Sequence, residues 1–166
     1  LRNSSAASDV YKRQAYTQEE LRPHTDSTYS NDAPGLQLLL CCHYKASGGE
    51  SIMVDGFKIA EKIKNEKKEI YDLLTQIEVT GQYIGDGVFL KAKRPIFRVN
   101  SDSELIQVSF NNYDRAPFKF SEDKTKKFYE AIKEFDLIAN NKEYQWRHVL
   151  KPCLLYTSDA ADELRS

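Results

Sequence analysis

The sequence predicts a mainly β protein with inserted helices, built on an antiparallel β core such as a jelly roll. Three observations point that way. Strand-like stretches outnumber helical ones. The two helical regions interrupt the strands, whereas a βαβ repeat would alternate with them. The final stretch, "EYQWRHVL" at 143–150, alternates side chains with the period of a strand.

The elements follow in order. Residues 15–35 read as irregular, with Pro23 and the pair Pro34 and Gly35 as breakers. "LQLLLCCHY" at 36–44 reads as a central strand, its apolar run suited to burial. "ASGGE" at 46–50 reads as a turn, because Gly48 and Gly49 can take positive φ. "SIMVDGF" at 51–57 reads as a short second strand. From Phe57 to Thr75 the pattern becomes helical, with Ile59, Ile63, Ile70, Leu73 and Leu74 on the apolar side and a break expected in "NEKKE". Residues 76–84 suit another strand, and 91–110 suit two strands about a turn at Asn100 to Ser103. "NNYDRAPF" at 111–118 reads as a loop. Ser121 is an expected N-cap, and Phe128, Ala131, Ile132, Phe135 and Ile138 form a helical stripe that Asn140 and Asn141 would end. In the last strand Tyr144, Trp146, His148 and Leu150 share one face.

The two ends stand apart from the rest. "SSAASDVYKRQ" at 4–14 and "CLLYTSDAADE" at 153–163 are translations of opposite strands of one oligonucleotide, which resembles a transposase tag used in preparing sequencing libraries. Residues 1–14 and 153–166 are therefore expected to be foreign tails, and 15–152 an internal fragment of a natural protein. That fragment is short enough for a single domain.

Composition excludes some functions. The net charge is −1, and the tails carry four basic and four acidic residues, so the remainder has the same balance. No polyanion footprint results, which argues against a nucleic-acid partner. No apolar run approaches a membrane span. Of the three cysteines, Cys153 falls in a tail, and the adjacent Cys41 and Cys42 are expected as buried thiols. Nothing suggests a disulfide framework or a zinc knuckle, so a reducing intracellular compartment is expected, mitochondrial or cytoplasmic.

The chemistry concentrates in "RPHTDSTYS" at 22–30. His24 and Asp26, two apart, can grip one face of a metal ion; iron(II) oxygenases add a second histidine from far along the chain. His43 and His148 are the remaining histidines. On these residues alone, a capped loop with a polar histidine is the competing reading.

Three stretches, "AYTQEELRPHTDSTYSNDAPGLQLLLC", "GGESIMVDGF" and "FNNYDRA", occur in that order. Together they resemble the trimethyllysine and gamma-butyrobetaine dioxygenases, enzymes of carnitine biosynthesis within the broader group of taurine-dioxygenase-like oxygenases. The resemblance runs from about Ala15 to Pro152, and "HTDSTY" and "NNYDRA" look closer to the trimethyllysine enzymes. It implies hydroxylation of a small quaternary-ammonium substrate, with iron(II), 2-oxoglutarate as co-substrate and ascorbate as activator. It implies no catalytic residue apart from the metal ligands, and homodimers are common among such enzymes.

The resemblance also assigns roles. His24 and Asp26 match the first two iron ligands. Tyr16 matches a tyrosine of an aromatic cage, which would recognise a quaternary ammonium through its π face; a packing tyrosine is the alternative. Asn111 matches an asparagine that binds the polar end of the substrate, where an amide can donate to a carboxylate; a turn residue is the alternative. Ser51 matches a position that reaches the co-substrate carboxylate, or else simply begins a strand after a tight turn. Leu39 matches a residue lining the co-substrate pocket, with plain core packing preferred. His43 has no counterpart among the ligands.

By the same resemblance, His148 lies on the strand leading into a Lys-Pro-Gly turn, and the third ligand follows later in a segment like Asn-Trp-Arg-x-x-His-Gly-Arg. Here Pro152 is followed by Cys153. The third ligand, a co-substrate arginine and the closing strands are therefore expected to be missing. The β core would be an incomplete double-stranded β-helix, prone to association, and the chain as written would be inactive. Gamma-butyrobetaine is the alternative substrate. A β-sandwich binding module without metal chemistry is the alternative from another class.

Overall fold

A computed structural model of the protein describes residues 21–32, 35–45, 47–85 and 87–159. It contains strands β1 (Leu36–Leu40), β2 (Ser51–Val54), β3 (Glu78–Gly85), β4 (Val88–Pro95), β5 (Phe97–Val99), β6 (Leu105–Val108), β7 (Gln145–His148) and β8 (Leu155–Asp159). Its helices are α1 (Gly56–Glu66), α2 (Lys68–Gln76) and α3 (Glu122–Ala139), and a 3₁₀ turn spans Lys142–Tyr144. Antiparallel strands with inserted helices are thus the observed class. The strands pair as four separate two-stranded ladders, β1 with β8, β2 with β7, β3 with β4 and β5 with β6. Among the described residues no ladder joins these pairs into the facing sheets of a jelly roll.

The core lies where the helices meet the β5–β6 hairpin. Ile59 and Ile63 of α1, Leu74 of α2, Phe97 of β5 and Phe128 of α3 are its largest fully buried side chains. Their burial follows from helical spacing: each α3 stripe residue named above is buried, so one face of the helix meets the core. Phe97 packs on Tyr71 and Phe135 at ring-centroid distances of 5.3 and 5.8 Å, and Phe110 meets Phe135 at 4.5 Å. Offset aromatic pairs at these distances add stability beyond the apolar area they bury.

Local chemistry sets the helix ends. Asp55 caps α1, its carboxylate accepting from the N–H of Lys58 at 2.9 Å. The expected break in "NEKKE" falls at Lys67, whose backbone leaves the helical region (φ −143, ψ 63) while its N–H still bonds the carbonyl of Ile63. Its ammonium reaches Glu134 of α3 at 2.6 Å. Ser121 stands at the N-cap of α3, yet its side chain makes no capping hydrogen bond; Glu122 and Asp123 supply the favourable negative charge at that end. Asn140 closes the helix, with its amide donating to the carbonyl of Asp136 at 2.7 Å.

Three expectations need correction. The strand at 91–110 divides differently: Lys91–Pro95 is the end of β4, paired with β3, and only Phe97 onward pairs with β6. Gly87, at φ 75, lies in the connection from β3 to β4, and Pro95, lacking an N–H, ends the ladder. The predicted central strand at 36–44 stops at Leu40 and is not buried. Leu36, Leu38 and Leu40 are 69, 62 and 61% exposed, because β1 pairs only with β8 and no second layer covers its outer face among the described residues. For the same reason Cys42 is exposed and Cys41 half-buried, and neither is a core thiol.

β8 lies within the segment set apart above as a tail. Its register with β1 runs from Leu36 opposite Asp159 to Leu40 opposite Leu155. Cys41 continues the pairing, its N–H donating to the carbonyl of Leu154 at 3.3 Å and its carbonyl accepting from the N–H of Cys153 at 2.8 Å.

Candidate functional site

His24 and Asp26 sit on a loop that the core holds by its middle residue. Between them, Thr25 donates its N–H to the carbonyl of Phe110 at 2.7 Å, and its hydroxyl accepts from the N–H of Phe110 at 2.9 Å. Phe110 is itself fixed by its ring contact with Phe135. A residue pinned on both sides of its backbone leaves its two neighbours free to project together.

They do converge. His24 Nε2 lies 3.4 Å from Asp26 Oδ1. The other ring nitrogen, Nδ1, meets the carbonyl oxygen of Arg22 at 2.7 Å. A carbonyl only accepts, so this bond places the proton on Nδ1 and leaves the lone pair of Nε2 toward Asp26. The remaining oxygen of Asp26, Oδ2, accepts from the amide of Gln37. When the ring takes a second proton, Nε2–H donates to Asp26, and this bond raises the pKa of His24 above its ordinary value and lowers that of Asp26. Nearby, burial pushes the pKa of Asp114 up.

His24 and Asp26 face an open cleft of about 1340 Å³, larger than the 300–1,000 Å³ typical of small-ligand pockets. His24, Asp26, Gln37, Leu39 and Ser51 all line it. Leu39 and Gln37 reach it by strand alternation, since both are half-buried while Leu36, Leu38 and Leu40 turn outward. Ser51 reaches it from the start of β2, after a turn in which Gly48 and Gly49 take φ 84 and 75. The far wall carries Trp146 and Arg147 from β7, which pairs with β2. Arg147 stands 3.7 Å from Glu50.

Other candidates lie elsewhere. Asn111 does not line this cleft. Its Oδ1 accepts from the N–H groups of Tyr113 and Asp114 at 2.8 and 3.3 Å, and its amide donates to the carbonyl of Thr25 at 3.2 Å and to Asp114 at 3.0 Å. It ties its own turn to the His24 loop. His148 also lies away from the cleft lining: its ring stacks on Trp146 at 5.0 Å, and Nε2 lies 3.4 Å from the hydroxyl of Tyr156. His43 is exposed. Tyr16 lies outside the described residues. Gln37 was missed in the sequence, although its signal was there: it is the polar interruption in "LQLLL", on the face opposite the exposed leucines.

The donor set fits part of a metal site. A neutral imidazole nitrogen and a carboxylate oxygen, already close and each held from behind, suit two corners of a facial triad. Among the described residues no group of three His, Cys, Asp or Glu side chains could hold a metal ion. His24 and Asp26 would therefore hold such an ion with two protein donors.

Known proteins resemble this chain. Residues 2–152 match the family described as "Taurine catabolism dioxygenase TauD, TfdA family". The match takes in residues 2–14, read above as foreign, and stops at Pro152. A protein named trimethyllysine dioxygenase from Meyerozyma guilliermondii is 36% identical over 157 residues, covering 90% of this chain and 39% of that protein. Gamma-butyrobetaine dioxygenase of Homo sapiens is 30% identical over 149 residues, 87% of this chain and 38% of that protein. The mitochondrial trimethyllysine dioxygenase of Homo sapiens is 29% identical over 144 residues, 83% of this chain and 34% of that protein. The chain thus spans less than two fifths of the length of these relatives.

Proposed function

Because the chain belongs to the TauD/TfdA dioxygenase family, we propose that it is part of an iron(II)- and 2-oxoglutarate-dependent dioxygenase that hydroxylates trimethyllysine. The observation that carries this reading is the pairing of His24 with Asp26 across 3.4 Å at the cleft wall. An iron(II) ion bound with a 2-oxo acid supplies the oxidising power for hydroxylating an unactivated C–H bond. The protein's own part is to hold and orient. Nδ1 of His24 stays protonated against Arg22, which keeps Nε2 available as a donor. Gln37 holds one oxygen of Asp26 and leaves the other toward His24. Ser51 offers a hydroxyl to the co-substrate carboxylate from the β2 side, and Leu39 walls the same space with an apolar surface. In the intact enzyme the ladders would belong to a jelly roll completed by further strands, which would supply the third ligand and an arginine for the co-substrate. Ascorbate is proposed as an activator of that enzyme.

A second substrate has specific support. The relative named gamma-butyrobetaine dioxygenase reaches 30% identity over much the same stretch. Both substrates are small quaternary ammonium compounds, so the aromatic-cage role proposed for Tyr16 suits either. The higher identity to the Meyerozyma protein favours trimethyllysine. Turnover of both compounds by the full-length enzyme decides between them.

The metal reading is tested on this chain directly. Mn²⁺ binding, followed by water-proton relaxation, should weaken about tenfold or more in His24→Ala and in Asp26→Ala. Binding in both variants equal to that of the parent chain would overturn it and favour a binding module without metal chemistry. With iron, 2-oxoglutarate, ascorbate and oxygen added, this chain should show no hydroxylation, since its described residues bring two protein ligands.

A further inference from the structure

We infer that Tyr113 is a positioning residue for the metal-facing nitrogen of His24, acting through the main chain of Arg22. The inference rests on the reading of His24 and Asp26 as metal ligands. Tyr113 meets the His24 segment twice. Its hydroxyl accepts from the N–H of Arg22 at 3.2 Å. Its ring stands edge-on to the imidazole, with centroids 5.6 Å apart and planes at 85°.

The first contact reaches the imidazole through one residue. Arg22 is held at its N–H by Tyr113, and its carbonyl takes the Nδ1 proton of His24 at 2.7 Å. A shift of the main chain at Arg22 would release Nδ1 and let the proton move to Nε2, where it would block a metal. The second contact fixes the plane of the ring, and hence the direction of the Nε2 lone pair.

Tyr113 is in turn held from both sides. Its N–H donates to Asn111 Oδ1 at 2.8 Å. Asp136 of α3 takes the guanidinium of Arg22 at 3.2 Å and the amide of Asn112 at 3.4 Å, tying the two segments to one helix. The Asn-Asn-Tyr-Asp turn at 111–114 therefore works as a clamp on the loop that carries the ligands. Tyr113 is 42% exposed, so loss of its hydroxyl removes a contact without opening the core.

The test compares the whole chain with Tyr113→Phe, which keeps the ring and loses the acceptor, and Tyr113→Ala, which loses both. Two readouts are taken. The ¹⁵N shifts of the His24 ring report which nitrogen carries the proton, at a pH where the ring is neutral. Water-proton relaxation reports Mn²⁺ affinity. Removing groups that hold a metal ligand costs about 10- to 100-fold in affinity, and a hydroxyl one bond further away should cost roughly 3- to 10-fold. Tyr113→Phe should show that loss together with proton density moved from Nδ1 to Nε2, and Tyr113→Ala a larger loss. An unchanged tautomer with Mn²⁺ affinity within about twofold of the parent would overturn the inference. Failure of the underlying reading looks different: His24→Ala would then leave Mn²⁺ binding intact.

Discussion

At the scale of single residues, His24 serves two competing partners. With no metal its protonated ring donates from Nε2 to Asp26, which raises its own pKa and depresses that of Asp26. The signs set a pH window. A raised folded-state pKa makes the His24 contribution complete below its unfolded value of about 6.5 and lost as pH rises through the folded value. A depressed pKa makes the Asp26 contribution complete above about 3.9 and lost as pH falls through its folded value. The pair therefore stabilises the metal-free chain most between about pH 4 and 6.5. A metal ion requires the neutral ring, so its affinity has the opposite slope above that window. Raising the pH from about 6 to 8 should lower the melting temperature of the metal-free chain and strengthen Mn²⁺ binding. Thermal melts and Mn²⁺ titrations at both pH values check this, and a melt that rises with pH while Mn²⁺ affinity falls would contradict it.

At the scale of elements, β3 is the strand that joins the scaffold to the site. Thr28 and Tyr29, just past Asp26, lie directly on Gly81: a Cβ there would stand 2.3 Å from the carbonyl oxygen of Thr28 and 2.8 Å from the nitrogen of Tyr29. On the same strand, Gln82 donates its N–H to the carbonyl of Asp114 at 2.7 Å, and the carbonyl of Thr80 accepts from Ala116 at 2.9 Å. One strand thus receives the loop that carries His24 and Asp26 and the turn that holds it. Gly81→Ala should cost about 1–3 kcal/mol, as overpacking against backbone does, and weaken Mn²⁺ binding as well. Urea unfolding and relaxation titration measure the two effects; a variant equal to the parent in both would show that the loops do not rest on β3.

At the scale of the whole molecule, the apolar core forms one wall of the cleft: Ile59, Val108, Phe110, Phe135 and Ala139 belong to both. The helices and the β5–β6 hairpin enclose the core. Opposite that shared wall the cleft is framed by β1, β2 and β7 with the His24 loop. β1 is the weak member, since β8 is its only ladder partner among the described residues and its outward leucines are exposed. Ending the chain at Pro152 would leave the N–H and C=O groups of Leu36–Leu40 without that ladder, an edge open to other chains. It would also loosen Gln37, and with it Asp26. Light scattering should show more association of the shortened chain, and Mn²⁺ affinity should fall. A monomeric product with unchanged affinity would mean that β8 contributes nothing to holding the site.

Local geometry made much of this legible in the sequence. The His24-x-Asp26 spacing, the stripe from Phe128 to Ile138 and the break near Lys67 depend on neighbours within a turn or two, where helical and extended periods directly decide which residues share a face. Gly85 and Gly87, which flank the connection between the paired strands β3 and β4, are an equally local signal. Other features depend on which distant segments meet. Asn111 holds the backbone at Thr25, 86 positions away, and does not face the cleft. Gln37 becomes a support for Asp26 only because β1 comes to lie beside the His24 loop. Leu36, Leu38 and Leu40 look like core by composition, yet they face outward because no second layer covers them among the described residues. Residue type and spacing determined which groups could bind a metal. Only the tertiary structure decided which groups hold them in place, because hydrogen bonds across long sequence separations follow packing and not local period.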